Sequence, residues 1–208
     1  EEKKAPVLVV GFNRRLSPLT DIVKDKIGFG TMSMIFRVNS GAIPKSSWVQ
    51  DAELGGGRII GEVCHFIDYL TYINGSLPVS IYASEMGDPE HKRDVVSINL
   101  KFSNGSIGSV CYYSNGSKSM SKEYIEIYKA GTTTVIDDFR ELKIYGAKKT
   151  FEKKLLSQDK GQKHFVKAFI ESVQHGRQSP ITFREIHSST LATLKVLESL
   201  KTGTVITL

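Results

Sequence analysis

The sequence predicts an α+β fold, an open, mostly antiparallel sheet with helices packed on one face. Three observations predict it. Between Val79 and Tyr145 short runs of alternating apolar and polar residues follow one another, separated by turn residues. Segments with helical apolar spacing flank that stretch on both sides. No internal repeat or low-complexity linker divides the 208 residues, a length that fits one large domain or two small ones and is enough to bury roughly 70% of the unfolded chain's surface.

Taken in order, Ala5–Phe12 (APVLVVGF) is a β-branched run with the pattern of a strand buried on both faces. Ser17–Pro18 is a helix start, Ser as cap and Pro at the first helical position, and the helix runs through Leu19, Ile22 and Val23 to Gly28. Thr31–Val38 alternates as a strand, and 39–51 is a loop carrying Pro44, Lys45 and Trp48. From Ile59 to Ile73, apolar residues recur every three or four positions until Asn74–Gly75 closes the helix. The strand-like runs Val79–Ala83, Val95–Phe102, Ile107–Tyr113, Tyr124–Tyr128, Thr132–Asp137 and Leu142–Tyr145 then read as a meander, with Asn104–Gly105 and Gly131 as hairpin turns. Two helices close the chain. One spans about Lys160 to His175, with Phe165, Val166, Phe169, Ile170 and Val173 on one side; the other follows the capping box Thr182–Phe183–Arg184–Glu185 and stops at Gly203.

Composition narrows the functional classes. With 40% hydrophobic and 24% charged residues the chain is neither disordered nor a disulfide scaffold. No apolar stretch approaches the 18 or more residues of a bilayer span, so no membrane association is expected. The net charge of +6 raises the prior for a polyanion. The basic residues, however, are scattered pairs such as Lys148–Lys149, without interleaved aromatics, and a nucleic-acid partner is not expected. Cys64 and Cys111 lack CxxC spacing and read as reduced thiols of a cytoplasmic protein. The Asn-Gly-Ser triplets at Asn74, Asn104 and Asn115 read as turns rather than glycosylation sites.

The stretch Gly55-Gly56-Gly57-Arg58-Ile59-Ile60-Gly61-Glu62-Val63-Cys64-His65-Phe66-Ile67-Asp68 carries the chemistry. Its glycines admit close approach of a ligand, and a helix N-terminus offers free N–H groups. Glu62, His65 and Asp68, at i, i+3 and i+6, are expected on one face opposite the apolar stripe. A His flanked by carboxylates serves as a tuned acid or base, and equally as a structural hydrogen bonder. A metal site of Glu62, His65 and His91 lacks a second His at ligand spacing, and no metal is expected.

The phrase resembles the substrate-domain motif of the glucose-fructose oxidoreductase, inositol dehydrogenase and MocA family, in which a Gly-rich turn enters a helix bearing an Asp and, one turn later, a His beside nicotinamide and sugar. Val10-Gly11-Phe12-Asn13-Arg14-Arg15-Leu16-Ser17-Pro18 resembles the family's junction between its dinucleotide and substrate domains, and Trp48 precedes the glycines as in family members. The resemblance implies an NAD(P)-dependent oxidoreductase acting on a hydroxyl of a sugar, sugar nucleotide or cyclitol. It implies His65 as acid or base with Glu62 tuning it, Lys45, Trp48 and Asp68 as substrate-binding residues, and Asn13 and Arg14 facing the cofactor. Arg14 serves equally as an ion-pair partner, and Trp48 equally as loop packing. The resemblance further implies a homo-oligomer formed through the open sheet.

Two departures qualify it. Four residues before His65, where the family carries its Asp, stands Gly61, with Glu62 next to it, which leaves three ways to fill that role: Glu62, a water, or His65 working alone. No G-x-G-x-x-G lies between a strand and a helix, and Glu2-Lys3-Lys4-Ala5-Pro6 only mimics the family's Glu-Lys-Pro lysine. Residues 1–15 are therefore expected to be the last strand and junction of an upstream dinucleotide-binding domain that holds NAD or NADP, and residues 16–208 the substrate-binding and oligomerisation domain, inactive alone. The alternative is a non-catalytic sugar-binding or oligomerisation scaffold of the same fold.

Overall fold

The computed structural model describes residues 7–51, 53–87, 93–146 and 149–208. Lys3 and His91 lie outside them. Four helices, α1 (Pro18–Ile27), α2 (Cys64–Asn74), α3 (Gln162–Gln174) and α4 (Phe183–Thr202), accompany nine strands: β1 (Ser33–Asn39), β2 (Pro78–Glu85), β3 (Val95–Phe102), β4 (Ile107–Tyr113), β5 (Glu123–Lys129), β6 (Thr132–Asp137), β7 (Glu141–Tyr145), β8 (Phe151–Lys154) and β9 (Ile206–Thr207).

The strands make one open sheet of order β8-β7-β6-β5-β1-β4-β3-β2-β9. The expected meander is interrupted: β1 inserts between β4 and β5, parallel to β4 and antiparallel to β5, with Ile35 opposite both Ser109 and Glu126. Strand alternation states which side chains face the core but not which strand lies alongside, so this insertion needed the tertiary structure. Met34, Phe36 and Val38 of β1, Val110 and Tyr112 of β4, and Ile125 and Ile127 of β5 are buried beneath α1, α2 and α4 in one cluster. Within it Phe36 stacks on Tyr69 and meets Phe66 at 4.7 Å between ring centroids. The opposite face is open and mixed, presenting Ile35, Tyr82, Ile107, Tyr128 and Tyr145 among polar neighbours. Cys111, expected in a buried strand, lies half-buried with its thiol free, as does Cys64.

Local signals account for the helix ends. Ser17 caps α1, its side chain accepting from the Leu19 amide. The capping box of α4 closes in both directions between Thr182 and Glu185. The helix expected over Ile59–Ile73 is two conformations, a wider π-turn over Ile59–Val63 followed by α2, which ends where Gly75 turns left-handed.

The expected strand over Ala5–Phe12 is not formed in its described part. Residues 7–12 are irregular, with Leu8 exposed, because no neighbouring strand offers them a ladder. A 3₁₀ turn over Asn13–Leu16 follows and is anchored in the domain, with Asn13, Arg14 and Arg15 all buried. Gly161 fixes how α3 meets that turn. Its φ is +84°, and a Cβ there would lie 2.4 Å from the Asn13 carbonyl oxygen and 2.6 Å from the Ser17 nitrogen. Because the obstruction is backbone, Gly161→Ala is expected to destabilise the protein by at least about 2 kcal/mol, lowering Tm by several degrees. An unchanged melting temperature would contradict this packing.

Candidate active site

The Gly-rich approach folds on itself before the helix begins. The amides of Gly55 and Gly56 both donate to the Asp51 carbonyl, at 3.0 and 2.9 Å, and the Asp51 carboxylate accepts from the Glu53 and Leu54 amides. Arg58 then enters the interior at 2% exposure. It donates to the Gly41 carbonyl at 2.7 Å and to Glu62 at 3.1 Å, lies 3.8 Å from Asp94, and sits over the Tyr112 ring. One side chain thus joins the 39–51 loop, the π-turn and the sheet.

Glu62 is held from two sides, with Arg58 on one oxygen and Lys122 Nζ at 3.1 Å from the other. Burial pushes its carboxyl upward, but Lys122 and Arg58 outweigh that and bring it below the ordinary carboxylate value. It is a carboxylate at neutral pH. Tyr112, fully buried beneath this pair, leaves its hydroxyl with no hydrogen-bond partner among the described residues.

His65 is the second residue of α2, just after the π-turn. Its ring meets Phe12 edge-on at 5.8 Å, and its Nδ1 is buried with no hydrogen-bond partner among the described residues. Burial first, and then the Arg14 charge, lower its pKa to about 4, against the opposing pull of Glu123 and Glu62. The imidazole is therefore neutral at pH 7 with a ring nitrogen uncommitted. The neighbouring Cys64 thiol is pushed up to about 11, chiefly by burial, and stays protonated.

That lowered His65 pKa sets a pH dependence. The unfolded imidazole takes up its proton near 6.5 and the folded one near 4. Between those values the unfolded chain binds more protons, so stability falls as pH drops through the window, by about 3 kcal/mol at most, and no His65 contribution changes above it. Denaturant unfolding at pH 7 and pH 4.5 is expected to show His65→Gln losing less stability than the parent. Equal losses would contradict a neutral folded imidazole.

Asp68, expected to share a face with Glu62 and His65 opposite the apolar stripe and to bind substrate, is buried at 1% exposure. Arg15 grips it with Nε at 2.7 Å and Nη2 at 2.5 Å, and the Ser189 hydroxyl donates to it at 3.2 Å. Burial pushes its carboxyl up to about 6 while Arg15 pulls it down. Burial also opposes the Arg15 charge, but Asp68 and Glu185, the latter 2.6 Å from Arg15, together raise the guanidinium's pKa. Asp68 thus ties α2 to the 3₁₀ turn and to α4, with both oxygens engaged. The three acidic and imidazole groups do not form one cluster, because the π-turn breaks the α-helical phase between Glu62 and His65 and because a buried guanidinium draws Asp68 inward.

Asn13 and Arg14 are likewise engaged. Asn13 donates to the Lys160 carbonyl at 2.7 Å. Arg14 pairs with Glu123 through two bonds of 2.7 and 2.8 Å, and its guanidinium lies 5.0 Å from the Phe66 ring centre. Lys160 adds a third bond to Glu123 at 2.7 Å, and these partners outweigh the burial that would raise the carboxyl, leaving it at about 2. Lys45 and Trp48 remain on the loop with exposed side chains, Trp48 at 68%. Sequence reasoning missed Arg58, Tyr112, Lys122 and Glu123. Arg58 lay inside the Gly-rich phrase, whereas Lys122 and Glu123 sit 60 or more positions beyond their partners and carried no local signal.

A dinucleotide has no cradle among the described residues. No Gly-rich turn links a strand to a helix, and the two side chains expected to face it are bound within the domain. Among the described residues no helix is long and apolar enough to cross a membrane.

Residues 26–208 match the family model described as the oxidoreductase family, C-terminal alpha/beta domain. No curated protein matches the chain. Among solved structures, levoglucosan dehydrogenase in complex with NADH and levoglucosan is similar with TM-score 0.82 and 19% identity, over 99% of this chain and 67% of that one. UDP-N-acetylglucosamine 3-dehydrogenase from Acidithiobacillus ferrooxidans is similar with TM-score 0.79 and 17% identity, over 94% of this chain and 62% of that one. A Thermotoga maritima oxidoreductase structure is similar with TM-score 0.74 and 16% identity, over 95% of this chain. At such identities the likeness is one of fold, and the chain spans 62% of the length of that relative.

Proposed function

The chain belongs to the glucose-fructose oxidoreductase, inositol dehydrogenase and MocA family, as its C-terminal α/β domain, and from that premise we propose that it is the substrate module of an NAD(P)-dependent enzyme oxidising a hydroxyl of a sugar, sugar nucleotide or cyclitol. The observation that carries the reading is His65, a neutral imidazole near the head of α2 whose buried Nδ1 has no partner among the described residues. An imidazole neutral at pH 7 is ready to accept a proton from a substrate hydroxyl.

A nicotinamide would supply the hydride acceptor, and holding it would fall to an upstream dinucleotide-binding domain, since Asn13 and Arg14 are bound within this one. This chain's part is the proton. Glu62 keeps a negative charge near His65, favouring its protonated form as the hydroxyl proton arrives, and the Arg58 and Lys122 pair fixes that carboxylate. Asp68 acts one turn further on by holding α2 against α4 rather than by touching substrate. Lys45 and the exposed Trp48 ring are free to meet sugar hydroxyls and a sugar face. The open face of the sheet, with Ile35, Tyr82 and Tyr128, suits a second copy.

The test is the complete protein, purified from its source and offered NAD⁺ or NADP⁺ with a panel of sugars, sugar nucleotides and cyclitols. Reduced nicotinamide with at least one of them is the expected result. Sugar binding with no reduced nicotinamide in any case would leave the non-catalytic scaffold instead.

A further inference from the structure

The three Asn-Gly-Ser triplets are alike in sequence, and the fold treats them differently. Asn74 ends α2 at 1% exposure with its side-chain amide donating to the Leu70 carbonyl, and the Gly75 nitrogen donates to the Thr71 and Tyr72 carbonyls. Asn104 turns the hairpin between β3 and β4. Its side-chain oxygen accepts from the Ser106 amide at 3.0 Å, its side-chain amide donates to the Asn74 carbonyl at 3.4 Å, and the Gly105 nitrogen donates to the Phe102 carbonyl at 3.0 Å. In both triplets the glycine nitrogen is committed. Asn115, in the loop from β4 to β5, is exposed. Among the described residues its side-chain amide meets only the Met86 thioether, at 3.7 Å, and the Gly116 nitrogen has no acceptor.

An Asn side-chain carbonyl lies within reach of the next residue's nitrogen, and a following Gly puts no Cβ in the way. A nitrogen that is free of other partners attacks Cγ: the N–Cγ bond forms, the bond from Cγ to the side-chain amine breaks, and the amide proton leaves with that amine as ammonia. Water then opens the cyclic imide at one of its two carbonyls. The product is aspartate, or isoaspartate with the main chain routed through the side chain. Water is the sole co-reactant. Packing keeps this reactive pair in place, because a Cβ at position 116 would lie 2.2 Å from the Asn39 side-chain oxygen. Asn39 is buried and cannot yield, since its side-chain amide holds the Ser117 carbonyl at 2.6 Å and its backbone amide the Lys122 carbonyl at 2.7 Å. The same clamp therefore demands glycine at 116 and sets Lys122, whose Nζ lies 3.1 Å from Glu62.

We propose that Asn115–Gly116 is a site of spontaneous hydrolytic deamidation, left open by the fold while the two triplets like it are protected, and that isoaspartate there loosens the loop that sets Lys122 against Glu62. Isoaspartate lengthens the main chain by a methylene immediately before Gly116, so Gly116 and Ser117 no longer both fit against Asn39. Either product also adds a negative charge to the loop. The modification does not rest on the catalytic reading of His65.

The test follows the complete protein at mildly alkaline pH by peptide mass spectrometry, with a protease that cuts after aromatic residues so that Tyr112 and Tyr113 separate Asn104 from Asn115. The Asn115 peptide is expected to gain the mass difference between an amide and an acid and to divide into aspartate and isoaspartate forms. It is expected to do so at least about tenfold faster than the Asn74 and Asn104 peptides, whose held glycine nitrogens must first open. In denaturant, where no fold protects them, the three are expected to convert at similar rates. Equal rates in the folded protein, or an Asn115 peptide that converts in denaturant alone, would overturn the site. Asn115→Gln, whose longer side chain closes the ring far more slowly, is expected to lose the mass gain; a gain that persists in that variant would place the reaction elsewhere and overturn the assignment. For the loop, the isoaspartate fraction is separated by ion exchange, and its amide exchange over 117–122 is expected to exceed that of the unreacted fraction by about tenfold. Unchanged exchange would overturn the link to Lys122.

Discussion

His65→Ala in the complete protein is expected to lower kcat by about 10²–10⁴-fold with little change in affinity for the nicotinamide cofactor. The side chain is the one group at the head of α2 that is both neutral at pH 7 and free at a ring nitrogen. Its removal leaves the helix in place, since α2 is held by Asp68 and Arg15 one turn later and by Phe66 and Tyr69 in the core. Steady-state kinetics with the best substrate of the panel, on a variant with unchanged circular dichroism, makes the measurement. The parent's kcat/KM is expected to fall on the acid side as the imidazole takes up its proton, towards about pH 4. A loss below about tenfold would remove His65 from the proton-accepting role. A large loss carried by KM alone would make it a binding group instead.

Glu123→Ala is expected to be the most destabilising single substitution at the site, costing about 3–5 kcal/mol. The Glu123 side chain is fully buried, and it balances Arg14 and Lys160, whose side chains are 11% and 12% exposed. Truncating it strands two cations in the interior with nothing to replace their solvation. Replacing both partners of the closest pair, Glu123→Leu with Arg14→Met, is expected to cost less than Glu123→Ala alone, because the uncompensated guanidinium goes with its partner. The pH dependence has a definite sign. Glu123 holds its proton only below about 2 in the folded state, against an ordinary 4.5, so its contribution is complete above about 4.5 and is lost as pH falls towards 2. Denaturant midpoints for the two variants decide the matter. A cost for Glu123→Ala below about 1 kcal/mol would show the triad to be incidental.

Much of the layout was legible locally, and the reasons are specific. The runs Val95–Phe102, Ile107–Tyr113 and Thr132–Asp137 are strands with those same limits, because alternation over six to eight residues together with a flanking turn is a short-range code. Thr182 and Glu185 announced α4 because both halves of a capping box lie within one turn. The strand Phe151–Lys154 was missed because three of its four residues are charged, and Ile206–Thr207 because it is too short to show a period. The π-turn went unseen because the apolar spacing from Ile59 onward fits an unbroken α-helix equally well.

The chain's own order of residues was sufficient to state an α+β domain, a helix entered through glycines, and His65 at its head. It stated neither the neighbours of β1 nor the partners of the charges. Arg15 meets Asp68 across 53 residues and Arg14 meets Glu123 across 109, and Lys122 reaches Glu62 across 60. Periodicity and capping act over one or two turns of chain, whereas these pairs form only after the sheet has brought distant segments together and water has been excluded from between them. For that reason the histidine's position was visible in the sequence, while its protonation state, set by burial and by Arg14, was decided by the fold.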